Sequence, residues 1–122
     1  MTVQDMMDIQ FALQERYRGV WEGDNPDTAK NHLLYVVEEI GEVAAILKKR
    51  GAEAVVADEN VRAHFCEEMS DVFMYLTDVL LCCGVTAEEF DRAYRAKAER
   101  NLKRDFPGEH RRYLESESAD TP

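Results

Sequence analysis

Two stretches of this 122-residue chain each set a pair of carboxylates three residues apart: Glu39 with Glu42, and Glu68 with Asp71. Residues at i and i+3 are neighbours on a helix surface, so each pair repels itself unless a cation sits between its oxygens. Both pairs border apolar residues. Glu39 sits at the edge of a stripe formed by Val36, Val37, Ile40, Val43 and Leu47, with Glu38 and Glu42 further round. Glu68 flanks Val72 and Val79, and Asp71 and Tyr75 share its sector. A half-buried carboxylate needs a partner, and basic residues are scarce nearby. Either pair alone is more often a solvated acidic face than a metal site; the two together are more specific.

A third group completes the pattern. Lys97, Asn101 and Arg104 are spaced i, i+4, i+7 on one helical stripe. From Glu42 to Gly51 a helix climbs ~13 Å, and from Glu59 to Glu68 the next returns about as far. An antiparallel hairpin therefore brings the four carboxylates face to face. A further helix from Thr86 returns ~22 Å by Asn101, to the same level. Four carboxylates for Mg²⁺, flanked by cationic and amide donors, form a grip for a polyphosphate.

The elements that must position these residues read as four helices. The first spans 3–18, with Thr2 as N-cap and Gly19 as stop. Asn25 then Pro26 reads as N-cap and first residue of the second. That helix runs to the basic residues 48–50 and ends at Gly51. A weak connector over 52–58 leads to a third helix, 58–83, closed by Gly84. Thr86 with Glu89 forms a capping box for the fourth, which continues to 104. Phe106, Pro107 and Gly108 break it, leaving a polar, mobile tail over 109–122 behind a single domain of 1–108. No segment alternates with period two, so the expected fold is all-α, an antiparallel four-helix bundle. Gly41, inside the second helix, predicts close approach of a neighbouring helix.

The third helix carries a core stripe of Phe65, Met69, Val72, Leu76, Val79 and Leu80, yet Met74 and Leu81 lie on nearly its opposite side. A helix apolar nearly all round is buried all round, which predicts a homo-oligomer packed on it.

Composition excludes several classes. Fifteen basic residues against 25 acidic leave a net charge of −10, so neither a nucleic acid polymer nor an anionic membrane is a partner. No apolar run spans a bilayer, and the first ten residues do not read as a secretory signal; the expected location is cytoplasmic. Cys66, Cys82 and Cys83 are odd in number and lack a C-x-x-C pair, which argues for a reducing compartment, against zinc, and for small core residues. His32 reads as a capping or packing residue more readily than a substrate contact. Trp21, Phe11 and Tyr75 are placed to frame a base, although aromatics in a small bundle are usually core. His64 precedes Glu68, whereas a ferritin-like di-iron site needs Glu-x-x-His with the glutamate first.

Glu38, Glu39 and Glu42, followed by Glu68 and Asp71, resemble the E-E-x-x-E … E-x-x-D signature of the MazG-like, all-α nucleoside triphosphate pyrophosphohydrolases. Lys97, Asn101 and Arg104 resemble that family's third motif, and the resemblance covers roughly residues 28–106. It implies a helical bundle forming homodimers or homotetramers. It also implies Mg²⁺-dependent hydrolysis (Mn²⁺ as substitute) of a (d)NTP between the α and β phosphates, giving (d)NMP and pyrophosphate. By the same resemblance Glu39, Glu42, Glu68 and Asp71 are metal ligands, and Glu38 orients or deprotonates the attacking water. Lys97 and Asn101 bind phosphate oxygens; the match at Arg104 is looser, since the run after Asn101 varies in the family. Tyr75 is a further candidate substrate contact. Rival readings are a dUTP- or dCTP-specific enzyme, a phosphoribosyl-ATP pyrophosphohydrolase, and a non-catalytic nucleotide-binding helical dimer.

Overall fold

The computed structural model describes residues 1–119. Their regular structure is six α-helices and one 3-10 turn, with no strand among them. The chain divides into two units, Met1–Glu89 and a second beginning at Phe90.

In the first unit, α1 (Val3–Arg16) opens on a capping box. Thr2 Oγ1 accepts from the Asp5 amide at 3.1 Å, and the Asp5 carboxylate accepts from the Thr2 amide at 2.8 Å. Asn25 caps a 3-10 turn, Pro26–Thr28, before the chain settles into α2 (Ala29–Arg50). The expected connector contains a six-residue helix, α3 (Ala52–Ala57). Asp58 then caps α4 (Glu59–Cys82), its Oδ1 accepting from the amides of Asn60 and Val61. Gly51 and Gly84 close α2 and α4 with φ of 82° and 68°, the left-handed region that glycine enters without a Cβ clash.

The register of α2 on α4 follows from pairings along them. Thr28 meets Cys82, His32 faces Asp78, Glu39 meets Glu68 and Asp71, and Ile46 packs with Val61. As α2 ascends its partner descends, so the two are antiparallel, as the hairpin argument requires. Ile46, Val55 and Val61, with Ala54 and Phe65 against them, form an apolar plug at the joined end. Helix α1 lies against α4.

The buried faces are rotated from those the sequence predicts. On α2 the interior residues are His32, Val36 and Ile46, while Val37, Ile40 and Leu47 are exposed. On α4 the buried set is Val61, Val72, Thr77, Asp78 and Cys82, and Leu76, expected in the core, is 40% exposed. A Cβ added at Gly41 would meet nothing within 4 Å, so no helix among the described residues of the first unit approaches it closely.

Helix α5 (Ala87–Lys103) starts at the expected cap, Thr86 Oγ1 accepting from the Glu89 amide at 3.1 Å. The Phe106-Pro107-Gly108 break ends it but also starts α6 (Phe106–Ala119). Proline suits the first turn of a helix, and the Asp105 carboxylate accepts from the Gly108 amide as a cap. Residues 109–119, expected as a tail, are therefore helical; 120–122 lie outside the described residues. No single described helix is long and apolar enough to cross a membrane.

Candidate functional site

The antiparallel register brings three of the four expected metal ligands together. Carboxylate oxygens of Glu39, Glu68 and Asp71 all lie within 4.8 Å of one another, and each residue is half-buried. Burial pushes the Glu39 carboxyl up; the charge of Asp71, a hydrogen bond with Glu68 and the charges of Glu68 and Glu42 push it the same way. Three carboxylates held this close are stable only with a proton or a cation among them. The donor set is all oxygen, which suits a hard divalent ion of the Mg²⁺ class. Glu42, one turn on, is exposed and bears on Glu39 through its charge, outside the three-residue cluster. Glu38 is exposed, and its charge is felt at Tyr35.

Beside the carboxylates is a cavity of about 240 Å³. Asp71 and Tyr75 line it from α4, Tyr35 from α2, Gln14 from α1, and Trp21 from the segment after α1. The Trp21 ring stacks on Tyr17 at 4.4 Å between centroids and is 43% exposed, while Tyr35 and Tyr75 are 5.5 Å apart. Glu22 ties this segment to α2, accepting from Asn31 Nδ2 at 2.7 Å and from the Tyr35 hydroxyl at 3.1 Å. Flat aromatic walls next to oxygen ligands suit a molecule with a planar ring at one end and negative charge at the other.

Lys97, Asn101 and Arg104 belong to the second unit. There Arg104 forks onto Glu109, with Nη2 to Oε2 at 2.6 Å, and its guanidinium lies 4.4 Å from the centre of the Phe106 ring. The Arg104 bond holds the Glu109 carboxyl below its usual range, with smaller help from the charges of Arg112 and Lys97. Arg104 is thus already engaged by a carboxylate.

A second polar cluster, absent from the sequence argument, lies in the first unit. Asp78 is 1% exposed, and its two oxygens accept from Gln10 Nε2 at 3.0 Å and Gln14 Nε2 at 3.3 Å. His32 is 3% exposed; its Nδ1 faces Asp78 Oδ2 at 3.8 Å and its Nε2 faces Asp24 Oδ1 at 3.2 Å. Cys82 Sγ points at Asp24 Oδ1 from 3.7 Å. Burial and the neighbouring Asp78 raise the Asp24 carboxyl to about 7. Two signals for this cluster were legible. Asp78 is the sole charge in the apolar run 72–83, and Gln10 and Gln14 are four apart on the first helix.

No protein-family model, curated protein or solved structure matches this chain.

Proposed function

We propose that the chain is a Mg²⁺-dependent nucleoside triphosphate pyrophosphohydrolase of the MazG-like, all-α type, cytoplasmic and active in nucleotide-pool housekeeping. The observation that carries this reading is the convergence of Glu39, Glu68 and Asp71 within 4.8 Å, with Asp71 also lining an aromatic-walled cavity. The base would stack between Trp21 and the two tyrosines, with the triphosphate running to the carboxylates. A bound Mg²⁺ would neutralise the phosphates against the acidic site and polarise a phosphoryl oxygen. Glu39, Glu68 and Asp71 would hold it, with Glu42 supporting them. Exposed Glu38 is assigned the orientation and deprotonation of the attacking water. Lys97, Asn101 and Arg104 are assigned phosphate contacts by the family resemblance. Phosphoryl transfer needs mostly positioning and charge stabilisation, so no serine or cysteine nucleophile enters.

The reading extends to a homodimer or homotetramer of four-helix-bundle type. Val37 and Ile40 on α2 and Phe73 and Leu76 on α4 are between 40% and 60% exposed. Exposed apolar residues grouped on two paired helices favour burial against a second copy.

The test is a panel of NTPs and dNTPs with Mg²⁺, assayed for phosphate with and without inorganic pyrophosphatase. Phosphate that appears only with the coupling enzyme supports α–β cleavage. The preferred substrate separates a broad enzyme from one specific for dUTP, dCTP or phosphoribosyl-ATP. Phosphate without coupling overturns the cleavage position. Silence with retained nucleotide binding replaces the enzyme with a binding module.

A further inference from the structure

The acidic cluster is not the only set of convergent ligand atoms. Asp24, His32 and Cys82 each offer one, and all three lie within 4.8 Å of one another. They come from three separate pieces of chain: the segment after α1, the first turn of α2, and the last residue of α4. We infer that Asp24, His32 and Cys82 form a second metal site, selective for a zinc-class cation and distinct from the Mg²⁺ site.

The geometry favours a small tetrahedral ion. With bonds of about 2.0–2.3 Å, ligand atoms around Zn²⁺ stand roughly 3.3–3.8 Å apart. Asp24 Oδ1 lies 3.2 Å from His32 Nε2 and 3.7 Å from Cys82 Sγ. The ligand types suit the same ion. One thiolate and one imidazole select zinc over magnesium, which takes oxygen donors.

Among the described residues, two buried side-chain atoms have no hydrogen-bond partner, Asp24 Oδ2 and His32 Nδ1. Such atoms are costly to leave unpaired. Both are explained by a bound cation. Asp24 Oδ2 is free to serve as a further ligand. His32 Nδ1 becomes an obligate donor once Nε2 ligates, and Asp78 Oδ2 faces it at 3.8 Å. Carboxylate–histidine–metal relays of this kind orient metal-bound imidazoles. Gln10 and Gln14 hold Asp78 in turn, so the outer support reaches α1. Binding releases the Cys82 thiol proton to solvent and ties the segment after α1, already packed there, to α2 and α4. This site does not depend on the pyrophosphohydrolase reading.

The test is titration of the chelator-treated full chain with Co²⁺, then Zn²⁺. Cys66 and Cys83 are exposed, so the Cys66→Ser/Cys83→Ser chain leaves Cys82 as the sole thiol without disturbing the core. The expected result is a thiolate-to-cobalt charge-transfer band that saturates at one equivalent and is abolished by stoichiometric Zn²⁺. Excess Mg²⁺, or Glu39→Gln, leaves it unchanged. Asp24→Asn and His32→Gln weaken binding at least tenfold, and Asp78→Asn weakens it by about 10- to 100-fold. Absence of the band overturns the site, as does a band indifferent to Asp24→Asn and His32→Gln. Should a variant fail to fold, protection of Cys82 from a thiol reagent by Zn²⁺ in the sole-thiol chain decides the matter. Protection supports the site, and unchanged reactivity overturns it.

Discussion

Asp24 Oδ1 lies 3.2 Å from His32 Nε2, inside a unit where His32 is almost wholly buried. Burial and the proximity of Asp78 raise the Asp24 carboxyl to about 7. Folded Asp24 therefore holds a proton that the unfolded chain releases near the ordinary value of 3.8. The folded state binds more protons across that window, so stability falls as pH rises from about 4 to about 7 and levels off above. Urea midpoints of chelator-treated protein at pH 5 and pH 7.5 measure the slope, which Asp24→Asn should reduce to the part left by the likewise raised Glu39. The lowered groups Asp5 and Glu109 act with the opposite sign, at and below their ordinary carboxylate values, outside most of this window.

Glu39→Gln should separate function from stability. The substitution removes one charge from a cluster whose members all raise Glu39. Melting in chelator should stay level or rise, while Mg²⁺-dependent turnover falls on the order of 100-fold. A loss of turnover matched by a loss of folding would reduce Glu39 to a structural residue.

Trp21→Ala should remove one wall of the aromatic cavity. The ring is 43% exposed and stacked on Tyr17, so little core is disturbed. Base–aromatic stacking contributes about 1–3 kcal/mol, which predicts a KM increase of roughly 5- to 150-fold with kcat retained. An unchanged KM would place the base elsewhere.

Glu109→Gln should release Arg104 from its fork. Arg104 Nη2 sits 2.6 Å from Glu109 Oε2, so a phosphate must compete with that carboxylate. If Arg104 contacts substrate, KM falls in Glu109→Gln and rises in Arg104→Gln. Unchanged KM in both would remove Arg104 from the substrate contacts.

Val37→Asp tests the assembly. Val37 is 60% exposed in the single chain, so a carboxylate there leaves the interior untouched. In an oligomer closed over this face it becomes an unpaired buried charge. Sedimentation should show the assembly reduced to monomer with helicity kept; an unshifted oligomer would place the interface on another face.

Helix type, helix ends and the level of the carboxylates were legible in the sequence because they are local. Thr2, Asn25 and Thr86 cap by contacts within a few residues, Gly51 and Gly84 stop helices by backbone freedom, and helical rise sets where Glu39, Glu68 and Asp71 meet. Pro107 marks a helix start as readily as a break, which is why residues 109–119 lie in a helix. Tertiary structure decided how far each helix rotates about its axis. That rotation depends on what packs against it, so it turned Val37 and Ile40 outward and Glu39 toward α4. It also assembled Asp24 with Cys82, 58 residues apart. Neither residue has a neighbour in sequence that announces a ligand, and the missing C-x-x-C pair argued against zinc. Only folding sets a thiol, an imidazole and a carboxylate around one point, because no local interaction spans three separate elements.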